Sequence, residues 1–226
     1  MKKSLSLIVL ILIFVSGMAW AKTTEEKSTP EKVKVQIKET DDKSVVERAE
    51  EWYKKGVEAF KTHNYDEAIK CFKKAIDIKP NDATIHYSFG VAYFNKGMLD
   101  ESVSEYKKAL AINPNFAEAH NNLGNAYDRK GRLDEALSEY KKAVTINPDL
   151  PPANYNLGRT YYKKGLKSLA ANHYYKAGLL FLKQGNKVWA LRAYKGLKQT
   201  NSKELEKTLF EKLYPELKKK KSETSE

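Results

Sequence analysis

Residues 116–148 read FAEAHNNLGNAYDRKGRLDEALSEYKKAVTINP, and the same skeleton returns when the chain is shifted by 34 residues in either direction. Gly124 has counterparts at Gly90 and Gly158, and at Gly56 one step further upstream. Tyr127 matches Tyr93 and Tyr161, while Tyr140 matches Phe72, Tyr106 and Tyr174. Ala143 matches Ala75, Ala109 and Ala177, and Pro148 matches Pro114 and Pro80. A constant period with small, aromatic and proline columns in fixed phase marks a stack of structural repeats, each packing mainly on its neighbours.

Within each repeat the residues dictate a helix, a short turn and a second helix. Gly124 and Ala136 let two helices approach closely, and Leu123, Tyr127, Leu133, Leu137 and Tyr140 fill the space around that crossing. Gly97, Gly131 and Gly165 fall where the first helix stops and the chain reverses, a position glycine tolerates best. The first repeat has His63-Asn64 there, with Asn64 expected to take the glycine's place. Asp100-Glu101 and Asp134-Glu135 sit at the start of the second helix and match its positive end. Asn113-Pro114-Asn115 then ends it, because proline offers no amide hydrogen and restricts the residue before it.

With these columns the chain resembles the tetratricopeptide repeat (TPR) family, through three full repeats and most of a fourth. The expected fold is all-α, an α-solenoid of helix-turn-helix repeats over 47–215, with repeats at about 49–82, 83–116, 117–150 and 151–184. A degenerate helical cap over 185–215 is expected to close the stack. The proline column is lost after Ala177, yet Gly178, Phe181, Gly185, Ala190 and Tyr194 restart the skeleton only 20 residues after Gly158. The helix from about Ser168 to Gln184 is therefore expected to serve two pairs, second in one and first in the next. A helix over Lys187–Gln199 follows. Asn201-Ser202 can then cap a last helix carrying Leu205, Leu209 and Leu213 on one stripe. Pro215 ends it, and 216–226 is read as a solvated basic and polar tail.

Residues 1–21 read as a secretory signal. Lys2 and Lys3 precede an apolar run of 14 residues from Leu5 to Met18, and Ala19-Trp20-Ala21 forms a small-x-small cleavage site. The run is short of the ~20 residues a spanning helix needs. Cleavage after Ala21 and a bacterial periplasmic or extracellular location are expected, an uncleaved anchor being the alternative. Residues 22–46 hold 12 charged side chains among 25 and no aromatic one. That composition predicts a mobile tether. The alternation of Val33, Val35 and Ile37 with Lys34 and Gln36 also fits a strand that could add to a partner's sheet.

The formal charge is +12, and of 41 basic side chains only 5 are Arg. Sequence-reading nucleic-acid binders lean on bidentate Arg, so no nucleic-acid partner is expected. The lysine surplus reads as solubilising charge, with weak association with anionic envelope components as the second reading. The single cysteine, Cys71, excludes an intramolecular disulfide and a multi-cysteine metal site. His86 and His120 lie one repeat apart, where the outer repeats have Trp52 and Asn154, and this packing column makes them structural rather than metal-binding. No nucleophile with a base, acid pair or glycine-rich phosphate loop is recognisable. Neither catalysis nor a cofactor or metal is expected.

What remains is surface. In TPR proteins one face of each first helix lines a concave groove, and the resemblance makes that face the candidate ligand contact. It carries Tyr53 and Phe60, then Tyr87 and Phe94. The third repeat adds Asn121, Asn122, Asn125, Asp128 and Arg129, and the fourth Tyr155, Asn156, Arg159 and Tyr162. Aromatic anchors beside amide and basic groups suit an extended peptide or protein segment, whose backbone the amides can satisfy. Asn122 and Asn156 belong to no packing column and resemble part of the asparagine ladder of some TPR superhelices, which Lys54 and Ser88 break, so they are expected to be free for that role. The plain alternative is that Tyr and Asn solvate the groove without a partner. Family members that grip a chaperone's terminal carboxylate use Lys and Asn in the first helix. Here Tyr53, Val57, Tyr87 and Val91 stand at those places, so that clamp is absent.

Overall fold

A computed structural model describes residues 30–215. The described residues form ten α-helices: α1 (Pro30–Lys61), α2 (Tyr65–Ile78), α3 (Ala83–Lys96), α4 (Leu99–Ile112), α5 (Ala117–Arg129), α6 (Leu133–Ile146), α7 (Pro151–Lys163), α8 (Lys167–Lys183), α9 (Lys187–Lys198) and α10 (Lys203–Leu213). Residues 1–29, with the expected signal, and the tail from 216 onward lie outside the described residues. The chain divides at Ser44, with the solenoid built from Val45 onward.

Between Pro30 and Val46 the backbone is helical, not the tether or strand that composition and alternation predict. The physical reason is that extending an existing helix adds one hydrogen bond per residue fixed, without a new nucleus. Glu and Lys are also good helix formers, so high charge does not oppose the extension.

Inside the solenoid each crossing is decided by a glycine facing an aromatic ring. A Cβ built on Gly124 would lie 2.6 Å from the Tyr140 ring, and one on Gly90 would lie 2.7 Å from Tyr106. Tyr140 and Phe72 are fully buried, each at the crossing of its own repeat. Burying such a ring contributes roughly 1.5–3 kcal/mol. Leu123, Tyr127, Ala136 and Tyr140 share one core with residues as distant as Leu213. Ala68, Phe72, Phe89 and Ala92 form a smaller cluster in the first two repeats.

The turns reverse at Gly97, Gly131 and Gly165, with φ of 88°, 75° and 77°. In the first repeat His63, not Asn64, takes the left-handed position, with φ of 60°. Asn64 instead caps α2, its side chain accepting from the Glu67 amide. Both assignments are consistent with intrinsic preference, since His is among the residues enriched at positive φ and Asn is among the best N-caps.

Adjacent repeats are stitched by polar bonds. His120 bridges the Glu139 carboxylate (Nδ1 to Oε2, 2.6 Å) and the Pro114 carbonyl at the end of the preceding repeat (3.0 Å from Nε2). His86 makes the same bridge between Glu105 and Pro80, at 2.7 and 2.9 Å. In the fourth repeat Asn154 donates to the Pro148 carbonyl at 2.9 Å, so an amide replaces the imidazole. Burial works to raise the Glu139 carboxyl, but its bonds from His120 and Lys142 outweigh that and hold it below the usual range. A second periodic stitch runs outside, pairing Lys96 with Asp66 (2.5 Å), Lys130 with Asp100, and Lys164 with Asp134 (2.5 Å). These pairs are solvent-exposed, so they set register more than stability.

α8 packs on α7, α9 and α10, closing the fourth repeat and opening the cap. The Tyr174 ring of α8 lies 3.1 Å from a Cβ built on Gly158 and 2.6 Å from one on Gly196. A Cβ on Gly178 would meet Leu209 of α10 at 2.6 Å. Small residues on α7, α8 and α9 thus repeat the crossing device at the end of the stack. Leu209 and Leu213 are buried by it. Ser202 stands at the start of α10 without a side-chain cap bond, and its hydroxyl bonds Thr200 instead.

Candidate functional site

Helices α3, α5 and α7 place their matching faces side by side, and α8 and α9 close one end. The result is a cavity of about 700 Å³. Ten of the thirteen residues expected from sequence line it: Tyr87, Phe94, Asn121, Asn122, Asn125, Asp128, Arg129, Tyr155, Asn156 and Arg159. Three do not. Phe60 lines a separate depression of about 160 Å³ with Val57 and Val91. Tyr53 packs in the first-repeat cluster, its hydroxyl 3.2 Å from Ser88 Oγ. Tyr162 packs against the main core.

The asparagines are not free as expected. Asn156 is buried and donates to Asn121 Oδ1 (3.0 Å) and Asn125 Oδ1 (2.9 Å) of the neighbouring repeat. Asn121 and Asn125 both donate to Asn122 Oδ1, at 3.1 and 3.3 Å. Asn122 donates in turn to the Tyr87 hydroxyl at 3.0 Å, and Tyr140 donates to Asn125 Oδ1 at 2.8 Å. The ladder therefore joins three repeats along the groove floor. Its amides satisfy one another because a 34-residue period stacks equivalent faces within side-chain reach.

Charge along the groove is also organised. Asp128 pairs with Arg159 (2.7 Å) and Lys163 (2.6 Å), two cations on one carboxylate. Arg129 donates to the Phe94 carbonyl at 3.1 Å and lies over the Phe94 ring. The closed end holds residues that the sequence reading missed, chiefly Phe181 of α8, Trp189 of α9 and Pro152 of α7. Trp189 stacks on Phe181 at 5.6 Å between centroids and stands edge-on to Tyr155 at 5.7 Å. The available signal was the shared helix, since a first helix restarted at Gly178 must present a face to the same groove.

Burial raises the Tyr87 hydroxyl above its ordinary pKa, and lifts that of Tyr174 beneath Tyr155 to about 12. Both act as neutral hydroxyls at physiological pH. Among the described residues no group of three or more His, Cys, Asp or Glu side chains could hold a metal ion, and no helix is long and apolar enough to cross a membrane.

The ten described helices, stacked with a groove on the first-helix face, define an α-solenoid scaffold. The TPR-repeat family profile matches residues 56–97, 90–131 and 129–165. The chain belongs to the tetratricopeptide repeat family. A crystal structure of MamA superposes with a TM-score of 0.57 at 25% identity, over 70% of this chain and 98% of that one. The first TPR domain of Spaghetti (RPAP3), solved bound to an HSP90 peptide, matches with a TM-score of 0.52 at 26% identity, over 53% of this chain and 94% of its own. PilF of Pseudomonas aeruginosa shares the fold, with a TM-score of 0.54 at 18% identity over 81% and 100% of the two chains. No curated relative matches the sequence.

Proposed function

We propose that this protein is an exported, non-catalytic adaptor that takes an extended segment of a partner protein into its groove. The observation that carries the reading is the cavity spanning α3, α5 and α7, where partly exposed aromatic rings stand beside amide and guanidinium groups. A stacked asparagine floor presents a rigid polar surface, so little is lost in ordering it on binding. A related TPR domain solved with a bound peptide supports the same use of the fold.

The test compares two faces. Phe94→Ala with Arg159→Ala should weaken a partner recovered from envelope extract by roughly 1–3 kcal/mol, because buried aromatic and Arg anchors dominate such interfaces. Lys107→Ala with Lys141→Ala, on exposed positions of α4 and α6, should change only the salt sensitivity. The opposite outcome would replace this reading with lysine-driven binding of an anionic envelope polymer, which should collapse between low and physiological salt.

Export rests on residues 1–21. Intact mass of protein recovered from the envelope should place Lys22 first, and retention of Met1 there would overturn cleavage.

A further inference from the structure

The closed end of the groove differs in chemistry from its floor. Trp189 is exposed over 37% of its surface, although it is fixed by neighbours. Phe181 stacks beneath it at 26° between planes, Tyr155 meets its edge at 83°, and the Arg192 guanidinium lies 4.4 Å from its ring centroid. Its backbone is held too, since the Trp189 amide donates to the Asn186 side chain that caps α9. An indole packed in this way has already given up its rotamer freedom, and its open area is available to a partner at low entropic cost.

Charge along the groove leans positive: Lys163 on Asp128 and Arg192 on Trp189 join Arg129 and Arg159, against the carboxylates of Asp128 and Glu118. Asp128 is already shared by two cations. Among the described residues no carboxylate pairs with Arg129, which lines the same cavity, or with Arg192 on the Trp189 ring. Each guanidinium therefore has donors to offer a carboxylate brought by the occupant.

From this juxtaposition we infer that the end of the groove selects an aromatic or other large apolar side chain within an acidic partner segment. Trp189 is the specificity-determining residue, and Arg129 and Arg192 receive the flanking carboxylates. This deepens the groove reading and rests on it. The floor holds any extended backbone, whereas the Trp189 end decides which side chains are accepted.

A display library of random linear peptides, selected on the full chain, tests both layers. The enriched peptides should carry an aromatic residue with nearby Asp or Glu. Trp189→Ala should weaken them about tenfold or more, and Trp189→Phe should restore most of the affinity. In a chain carrying Trp20→Phe and Trp52→Phe, peptide binding should shift the emission of Trp189, a readout that a purely structural tryptophan would not give. The inference falls if enriched peptides lack the aromatic and acidic preference, or bind Trp189→Ala unchanged. If no peptide is enriched, or Phe94→Ala with Arg159→Ala leaves binding intact, the groove reading itself falls.

Discussion

Gly124→Leu is expected to cost ~3 kcal/mol or more of stability, at the upper end for overpacking a core. Even the first carbon of the new side chain would lie 2.6 Å from the Tyr140 ring. That ring is fully buried, and its hydroxyl is tied to Asn125, so it has no free direction in which to swing. Gly124→Ala gains ~1 kcal/mol in helix propensity and should still be net destabilising for the same reason. Gly158→Ala provides a milder contrast, because its Cβ would meet the ring and backbone nitrogen of Tyr174 at 3.1 Å, which must give by only a few tenths of an ångström. Gly56→Leu clashes with Phe72 at 2.7 Å, but in the smaller cluster of the first two repeats. Its effect on the main transition should be weaker, as nearest-neighbour stacking implies. Urea midpoints of the four variants decide the matter. Equal losses at Gly56 and Gly124 would mean that the array unfolds as one unit.

Asn156→Ala should lower stability by ~1–3 kcal/mol, the cost of leaving buried polar groups unpaired. Its amide holds Asn121 and Asn125 of the neighbouring repeat, and both lose that donor. Asn122→Ala should cost less, because Asn122 is only half-buried and water can take over its bonds to Asn121, Asn125 and Tyr87. A double-mutant cycle between Asn156 and Asn125 should show clear coupling, since the two side chains share one network. Thermal melts with van't Hoff analysis supply the values. An unchanged melt for Asn156→Ala would return the asparagines to the role of free ligand contacts.

The helical hairpin, its period and its glycine turns were legible in the chain because each is local. Gly124 and Tyr140 lie 16 residues apart within one repeat, and the 34-residue shift repeats that relation without any knowledge of the stack. The groove face was legible for the same reason: Tyr87, Asn121 and Tyr155 keep a fixed offset from the glycine columns. Tyr53, Phe60 and Tyr162 keep a similar offset, yet the cavity does not include them. Periodicity cannot say where a groove begins or ends.

Three matters were decided only by tertiary structure. Whether Asn156 faces a ligand or its neighbour depends on the distance between stacked helices, which brings its amide to 3.0 Å from Asn121. Whether residues 30–46 are helical depends on a helix already nucleated downstream, a cooperative effect that composition does not record. Trp189 reaches the groove because α8 is shared between two pairs and turns α9 across the open end. The repeat alone therefore determined the scaffold. Packing at its end determined the chemistry of the site, because side chains outside the period meet the groove only through the angle at which the last helices close.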